Sequence, residues 1–299
     1  MRQQPIMDRL RYLQVDVFPA RPGGGNPLGV VIGAQAWTAS AMQAFAAWTG
    51  LVETTFVLPP DAPTASYRLR IFTPRSEIPF AGHPTVGSAH AVLETDFASP
   101  QSGRLVQQCG AGLLPVRIEG EGTARILSVR SPPARVLRAG LGEPRLRGIL
   151  DGCTLGVLPP AFVEGGRRWW IAEFASETAM RAWRPHHEAI GELARATDAL
   201  GLCVFARSEV PGHELAVRAF PAGAGIVEDP ASGAANGLIA AWIHHCEPGG
   251  PLARGYRVSQ GREMGHDALI VVRIESDGTA WVGGRSATIV NGHVDWAAG

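Results

Sequence analysis

The chain contains the stretch His83-Pro84-Thr85-Val86-Gly87-Ser88-Ala89, and a related stretch, Asp229-Pro230-Ala231-Ser232-Gly233-Ala234-Ala235, follows about half a chain length later. Each stretch comes after a strand-like segment with an Arg-x-Phe pattern, at residues 70–72 and 218–220, and each leads into an apolar helical pattern. Such a repeat predicts two similar halves that each offer the start of a helix to a shared cleft. A chain rich in Gly and Ala also produces such repeats by chance, so two unrelated helix starts remain the alternative.

Length and composition indicate a folded protein of two domains. A chain of 299 residues with 45% hydrophobic residues can form two cores of ordinary size. Lys plus Arg balance Asp plus Glu at 27 each and form no basic run, so we expect no nucleic-acid partner. Residues 1–14 do not have the pattern of a signal peptide, and no apolar run reaches the roughly 18 residues that span a bilayer. We therefore expect no membrane partner and a cytoplasmic location.

The cysteines and histidines do not form a metal-binding pattern. The four cysteines are dispersed without a Cys-x-x-Cys pair, which argues against structural zinc and against a disulfide framework. The neighbouring histidines at 186–187 and 244–245 cannot both face one site on a helix, so we predict no metal site.

Hydrophobic periodicity predicts more strands than helices, and hence an α+β fold. The predicted strands are 10–18, 28–32, 51–59, 67–72, 105–108, 113–119, 124–129, 169–173, 202–206, 215–220, 269–275, 280–282 and 287–290. The predicted helices are 38–50, 84–93, 185–197 and 231–244. The breakers Pro132, Pro133, Pro144 and Gly148 predict a boundary or a long excursion. In each half, one strongly apolar helix is expected to lie inside a sheet.

The two helix starts are candidates for holding a small anion. The first N–H groups of a helix have no internal partner and lie at the positive end of its dipole. Pro84 and Pro230 suit a first turn, and the small residues Gly82, Gly233 and Ala234 would let a ligand approach the backbone.

His83 and Asp229 occupy matching places in the repeat. They could face each other across a cleft as proton carrier and orienting partner. In the alternative interpretation the two helices are capped core helices, with His83 or Asp229 as the cap. Ser232 has no evident base partner and no Gly-x-Ser-x-Gly is present, so serine hydrolase chemistry is not supported.

Glu53 is the candidate for proton transfer. In the predicted strand it shares a face with Leu51, Thr55 and Val57, and burial there would raise its pKa towards the range that is useful for a general base. The alternative is a solvated edge residue, because Glu is seldom buried. Upstream, Gly23-Gly24-Gly25-Asn26-Pro27 has no phosphate-loop pattern and predicts a tight turn, with Asn26 available to a ligand.

Segments spread over nearly the whole chain carry a family resemblance. They are Val15-Asp16-Val17-Phe18, Gly25-Asn26-Pro27-Leu28, Glu53-Thr54-Thr55-Phe56-Val57, Arg70-Ile71-Phe72-Thr73-Pro74, Pro79-Phe80-Ala81-Gly82-His83-Pro84-Thr85-Val86-Gly87, Glu228-Asp229-Pro230-Ala231-Ser232-Gly233 and Gln260-Gly261. Together they resemble the phenazine-biosynthesis isomerase-like proteins, which are relatives of diaminopimelate epimerase and, more distantly, of proline racemase.

The resemblance implies two similar α+β domains, each a mostly antiparallel sheet wrapped around a central helix, with the substrate between them. It places the first domain at residues 1–120, with a final strand at 284–299 returning to it, and the second domain at 121–283. It also implies a homodimer and no cofactor.

For the chemistry, the resemblance assigns the proton-carrying role to Glu53, assisted by His83 and Asp229. In the family's phenazine enzyme the proton moves between ring carbons of trans-2,3-dihydro-3-hydroxyanthranilate. The two catalytic cysteines of the epimerase relatives have no counterpart here, which argues against two-thiol racemisation. This chain has Ala234 where a small polar residue is usual and Gly24 where Phe is common, and both differences point away from the phenazine precursor as the substrate.

The sequence thus predicts a cofactor-independent isomerase of a small carboxylate, a dienoic or cyclic amino acid of secondary metabolism. Glu53 is its general base and acid, and the predicted substrate-binding residues are Asn26, Gly82, Ser232, Gly233 and Ala234. Two alternatives stay open. One is an amino-acid racemase or epimerase that uses Glu53 with Asp229, and the other is a non-catalytic metabolite-binding protein.

Overall fold

The computed structural model describes residues 9–296 of the chain. It divides into two compact units: unit 1 comprises Met1–Val129 with Gly284–Gly299, and unit 2 comprises Arg130–Gly283. The predicted domain boundary at residues 120 and 121 falls in the connection between two strands of unit 1, and the domain ranges stay a prediction. Their ends at residues 1–8 and 297–299 lie outside the described residues.

The strands and helices alternate in short segments. The strands are β1 (Leu10–Val17), β2 (Asn26–Ile32), β3 (Glu53–Leu58), β4 (Tyr67–Phe72), β5 (Glu77–Ile78), β6 (Arg104–Cys109), β7 (Gly112–Glu119), β8 (Ile126–Arg130), β9 (Arg135–Ala139), β10 (Ala161–Gly165), β11 (Arg167–Phe174), β12 (Gly201–Arg207), β13 (Leu215–Phe220), β14 (Gly255–Gln260), β15 (Ala268–Ile274), β16 (Ala280–Gly284) and β17 (Ser286–Val294). The helices are α1 (Ala39–Thr49), α2 (Gly82–Glu94), α3 (Pro144–Ile149), α4 (Glu177–Ala182), α5 (His187–Thr197) and α6 (Gly233–Cys246). No helix within residues 9–296 is long and apolar enough to cross a bilayer.

The two units repeat one strand arrangement, which confirms the prediction of an α+β fold with two similar halves. In unit 1 the strands follow the order β17-β1-β2-β3-β4-β6-β7-β8, and only the pairs β2–β3 and β4–β6 are parallel. In unit 2 the order is β9-β10-β11-β12-β13-β14-β15-β16, and only the corresponding pairs β11–β12 and β13–β14 are parallel. The registers correspond as well, because Thr54 pairs with Phe72 and Leu202 with Phe220.

A largely buried helix lies against the sheet of each unit. In unit 1, α2 contacts β1, β2, β3 and β17, and most of its side chains are buried. In unit 2, α6 contacts β10, β11 and β15. Because these helices are covered nearly all round, they lack the polar face of a surface helix. Shorter helices cover another part of each unit: α1 in unit 1 and α3 with α5 in unit 2.

An ion pair repeats at the Arg-x-Phe segments of the two units. Arg70 of β4 makes two hydrogen bonds to Glu77, and Arg218 of β13 makes two to Glu228. Each guanidinium also lies over the phenylalanine two residues further on, at 5.1 Å from the ring centroid. The Arg-x-Phe part of the sequence repeat therefore marks equivalent places in the two units.

The structure also corrects the sequence-based assignment at several positions. Pro144 begins α3 rather than ending an element, and Gly148 lies inside that helix, since proline is compatible with the first helical turn. The strands β5, β9, β10 and β14 and the helices α3 and α4 were not among the predicted elements. All of them have six residues or fewer, which is too short to establish a clear hydrophobic period.

We expect Gly87→Ala to destabilise unit 1. A Cβ at this position of α2 would lie 2.6 Å from Leu28 Cδ2 and 2.7 Å from Val17 Cγ2, so the helix or these two buried side chains would have to shift. The expected loss is about 1–3 kcal/mol in the free energy of unfolding, measured by urea denaturation.

Gly148→Ala is the matched control, because this exposed helical glycine has no atom within 4 Å of the added Cβ. It should be neutral or stabilise by roughly 0.5–1 kcal/mol. Equal stability changes in the two variants would contradict the close packing of α2.

Candidate active site

Glu53 is a buried carboxylate inside the sheet of unit 1. It is the first residue of β3, which lies between β2 and β4, and it is 9% exposed. The alternative of a solvated edge residue is therefore wrong. Helix α1 ends at Gly50 in the left-handed conformation, and the chain then enters β3 within three residues. This short connection fixes the place of Glu53 at the start of the strand.

His83 of α2 lies beside this carboxylate. Its Nε2 atom is 3.3 Å from Glu53 Oε2, and both side chains are largely buried. The contact does not have the alignment of a hydrogen bond. Burial lowers the pKa of His83 to about 3, because the charged imidazolium loses its hydration there. At neutral pH, His83 is thus a neutral imidazole that can donate or accept a hydrogen bond.

Asn26 approaches the other ring nitrogen of His83. Asn26 is the first residue of β2, and its Nδ2 atom lies 3.4 Å from His83 Nδ1. If the amide donates to Nδ1, the single proton of the neutral ring is on Nε2, the nitrogen that faces Glu53. The three side chains form a row, and when the Asn26 amide donates to Nδ1, the Nε2–H of His83 faces the carboxylate of Glu53 without the alignment of a hydrogen bond.

Asp16 holds the loop that precedes Asn26, and no role was predicted for it from sequence. Its carboxylate accepts hydrogen bonds from the backbone N–H groups of Gly23 at 2.7 Å and Gly25 at 2.8 Å. A Cβ on Gly25 would lie 2.2 Å from the carbonyl oxygen of Val17, so no other residue fits there without a shift of the backbone. The sequence pattern that could have pointed to Asp16 is an acidic residue between two valines of a predicted strand, with three consecutive glycines at residues 23–25.

The two helix starts are built differently from the prediction. Helix α2 begins at Gly82 after Ala81, which provides no side-chain cap, and α6 begins at Gly233 after Ser232, whose hydroxyl accepts from the Ala235 N–H at 3.4 Å. The interpretation of His83 or Asp229 as the caps is therefore wrong. His83 is the second residue of its helix.

The pairing of His83 with Asp229 in the repeat is also wrong. Asp229 lies four residues before Gly233, and Pro230 precedes α6 instead of lying in its first turn. Relative to the helix starts, the segment that matches Pro230-Ala231-Ser232-Gly233 is Pro79-Phe80-Ala81-Gly82. The residue equivalent to His83 is Ala234, so only unit 1 carries an imidazole at this position.

Asp229 belongs to unit 2 and sits in a well-bonded loop. Its carboxylate accepts from the Ala231 N–H at 3.1 Å, and its backbone pairs with Ala219. Burial raises the pKa of its carboxyl, although hydrogen bonds from Ala231 and Ser232 act in the opposite direction. At the helix starts, Gly82 and Gly233 are partly exposed and Ala234 is exposed. Within residues 9–296, no group of three His, Cys, Asp or Glu side chains is arranged to hold a metal ion.

Comparison with known proteins places this fold and site in context. The model of the phenazine biosynthesis-like protein family matches residues 15–292. The trans-2,3-dihydro-3-hydroxyanthranilate isomerase of Pseudomonas aeruginosa is 31% identical over 280 residues, which cover 90% of this chain and 91% of that protein. An uncharacterized isomerase of Mesorhizobium japonicum is 34% identical over 311 residues and covers 96% and 99% of the two chains. Among solved structures, a phenazine biosynthesis protein from Bacillus anthracis matches with a TM-score of 0.80 at 23% identity, covering 96% and 99%.

Because burial lowers the pKa of His83 to about 3, the folded protein should lose stability as the pH falls. An unfolded histidine has a pKa of about 6.5, so between these values the unfolded chain binds more protons than the folded chain, and acid favours unfolding. At pH 5 the difference from neutral pH should be about 2 kcal/mol. Urea unfolding of His83→Asn should show a correspondingly weaker dependence on pH from 7 to 5.

His293→Asn provides the control, since His293 is an exposed histidine of the same unit and its replacement should leave the pH dependence unchanged. Asp229 is present in all three proteins, so its own titration cancels in the comparison. An unchanged slope in His83→Asn would contradict a buried neutral imidazole.

Proposed function

The chain belongs to the phenazine biosynthesis-like protein family, and we propose that it is a cofactor-independent isomerase that moves a proton within a small carboxylate substrate. It is an enzyme of the isomerase class, like the relatives named above. The observation that supports the proposed mechanism is the row formed by Glu53, His83 and Asn26. Glu53 would act as general base and then as general acid, and His83 would orient and tune its carboxylate through the facing N–H.

The duplication of the fold supports a mechanism with a single base. By strand register, the residue of unit 2 that corresponds to Glu53 is Gly201, because Leu28 pairs with Glu53 and Trp169 with Gly201 at matching places. A Cβ on Gly201 would lie 1.9 Å from the carbonyl oxygen of Phe220, so this position excludes every side chain. One carboxylate suffices for an isomerisation in which a proton leaves one carbon and returns to another on the same face.

We propose that the helix starts bind the substrate carboxylate. Gly82 is partly exposed and directly precedes His83 in α2, so its N–H group and the dipole of a 13-residue helix favour an anion at this end. Gly233 and Ala234 are the first two residues of α6 in unit 2, and their N–H groups are proposed to play the same part there. The Ser232 hydroxyl caps this helix. Asn26, which lies beside Nδ1 of His83, is proposed as a further substrate-binding residue.

The substrate class is a dienoic or cyclic amino acid of secondary metabolism, and the protein is proposed to act as a cytoplasmic homodimer. Trans-2,3-dihydro-3-hydroxyanthranilate is the first compound to test, since the Pseudomonas aeruginosa relative is named for it. Ala234 and Gly24 favour a different member of the class. Ala234 offers no hydroxyl at the start of α6, and Gly24 contributes no ring to the loop before Asn26.

A racemase or epimerase is the second candidate, and the state of Asp229 favours it. Burial raises the pKa of this carboxyl, so it is better suited than an exposed aspartate to deliver a proton. In that mechanism Glu53 would remove the α-proton and Asp229 would return one with inversion. The two reactions differ in where solvent deuterium enters the substrate: at the α-carbon with inversion for an epimerase, or along the conjugated system for an isomerase.

The decisive variant is Glu53→Gln, which keeps the size of the side chain and removes the base. Turnover should fall by about 10²-fold or more, measured by NMR as deuterium incorporation into trans-2,3-dihydro-3-hydroxyanthranilate and a panel of related dienoic acids in D₂O. Glu77→Gln is the control, because Glu77 is an exposed partner of Arg70, and it should retain activity. Near-normal turnover by Glu53→Gln would overturn the assignment, and tight binding by the native protein without deuterium incorporation would indicate a metabolite-binding protein.

Asp229→Asn separates the two reactions further. For the isomerase we expect a reduction in turnover smaller than that of Glu53→Gln, because the amide can still hydrogen-bond but Glu53 carries the proton. A loss equal to that of Glu53→Gln, together with α-carbon inversion in the native protein, would favour the epimerase.

A further inference from the structure

A strained turn precedes Asn26, at the point where β1 returns into β2. Phe18, directly after β1, has a φ of 66°, which lies in the left-handed region that a bulky residue rarely adopts. Phe18 is 1% exposed, and its N–H donates to the carbonyl oxygen of Arg285 at 2.8 Å. Such a strained conformation persists only where the surrounding contacts hold it, and strain of this kind is common beside active sites.

The carboxylate of Asp16 holds the other end of this turn. Its two oxygens each accept a hydrogen bond from the backbone, one from the Gly23 N–H and one from the Gly25 N–H, and Asp16 is 4% exposed. Hydrogen bonds to an ionised carboxylate are among the stronger ones in proteins. An apolar residue at position 16 would leave both N–H groups to find other acceptors. The turn is thus held by the strand that leads into it.

Gly25 is followed directly by Asn26. A Cβ on Gly25 would lie 2.2 Å from the carbonyl oxygen of Val17 and 2.5 Å from Asp16 Oδ1, so the turn packs closely against the end of β1. Asn26 then pairs with Val17 in the ladder between β1 and β2, and it is 1% exposed. The direction in which Asn26 leaves the turn is therefore set by contacts to Asp16 and Val17.

The position of Asn26 matters for His83, because a neutral imidazole carries its one proton on either of two nitrogens. An amide N–H directed at Nδ1, with Asn26 Nδ2 at 3.4 Å, favours the form of the ring that is protonated on Nε2. The Glu53 carboxylate lies 3.3 Å from Nε2 and favours the same form through its charge. The two neighbours act in the same direction, and the contribution of Asn26 is the one that depends on the turn.

We propose that Asp16 is a positioning residue of this site. Through the turn at residues 23–25 it holds Asn26 against Nδ1 of His83, and it thereby stabilises the form of the ring that is protonated on Nε2. The importance of this form for catalysis rests on the proposed function, in which the Nε2–H faces the base Glu53. All of these residues belong to unit 1.

The readout is the ¹⁵N spectrum of the His83 imidazole in the full-length protein, in which protonated and unprotonated ring nitrogens have well-separated resonances. His83→Asn assigns the signals by their loss. The measurement is made in the Glu53→Gln background, because the carboxylate alone could keep the proton on Nε2 and obscure the contribution of Asn26. The form protonated on Nε2 should predominate in this background.

Asn26→Ala removes the amide and should lower the ratio of the Nε2–H form to the Nδ1–H form about fivefold, which corresponds to the ~1 kcal/mol of one hydrogen bond. Asp16→Asn keeps the size of the side chain but offers one acceptor oxygen instead of two, and it should lower the ratio about twofold or more. Adding Asp16→Asn to Asn26→Ala should cause no further change, because Asp16 acts through Asn26. A general loosening of the unit would not produce this non-additivity.

Gly23→Ala is a second variant should Asp16→Asn not fold. Gly23 has a φ of 75°, and an added Cβ has no atom within 4 Å, so the change strains the turn without removing a contact. It should also lower the ratio. Gly33→Ala is the matched control, since Gly33 has a φ of 82° but follows the far end of β2, and it should leave the ratio unchanged.

A ring protonated mainly on Nδ1, a native ratio in folded Asp16→Asn or a further fall in the double variant would overturn the proposal. Equal effects of Gly23→Ala and Gly33→Ala would overturn it as well. The proposed function is tested separately, by turnover. Near-normal deuterium incorporation by Glu53→Gln would refute Glu53 as the base and leave the effect of Asp16 on the His83 ring in place.

Discussion

Each unit of this protein has to bury a helix that offers almost no polar face, and the rest of the architecture follows from that constraint. A helix covered on its sides still has N–H groups at its start that need acceptors. In unit 1 the small residues of α2 allow close approach, since Gly87 leaves no space for a Cβ between the helix and Leu28 or Val17. The start of α2 is partly exposed at Gly82, and His83 and Glu53 lie next to it.

Duplication provided two such helix starts, and the residues around them have diverged in chemistry. In unit 1 a carboxylate stands at the head of β3 and an imidazole near the head of α2, whereas the corresponding positions in unit 2 are Gly201 and Ala234. Unit 2 instead has Asp229 in the loop before its helix. What the copies keep in common is a hydrogen bond from a helix side chain to the carbonyl before the helix. In the proposed function, both helix starts bind the anion, whereas the proton carrier Glu53 is present in unit 1 and has no counterpart at Gly201 of unit 2.

Much of this organisation was predictable from the sequence. The longer strands, the helices α1, α2, α5 and α6, the cap at Thr38 and the end of α1 at Gly50 follow from periodicity and capping residues, which are local signals. The fold class and the family follow from dispersed motifs. The correct alignment of the two halves could not be predicted from the sequence. The residues around His83 and Asp229 are more similar to each other than are the residues that occupy equivalent places at the two helix starts. Only the helix bounds reveal that Pro79 and Pro230 are the equivalent residues.

Other features depend on contacts between distant residues and leave no local pattern. The hydrogen bonds of Gln107 to Thr85 and of Gln260 to Asn236 join residues 22 and 24 positions apart, and nothing in the neighbourhood of either glutamine marks it as buried. Burial of Glu53 likewise depends on β3 having a neighbour on each side, which is a property of the sheet order. The role of Asp16 requires the glycine loop to fold back over it.

The neutral state of His83 restricts the chemistry that this row of residues can perform. Burial that lowers the pKa of the imidazole to about 3 makes it a poor proton donor at neutral pH, because transfer from a neutral ring would leave an imidazolate. His83 is therefore poorly suited to serve as the second acid of a two-base mechanism, although its Nε2 atom lies 3.3 Å from the carboxylate of Glu53. Any reaction that needs a second proton carrier would have to recruit a group outside this row, whereas a transfer in which Glu53 both takes and returns the proton needs nothing further.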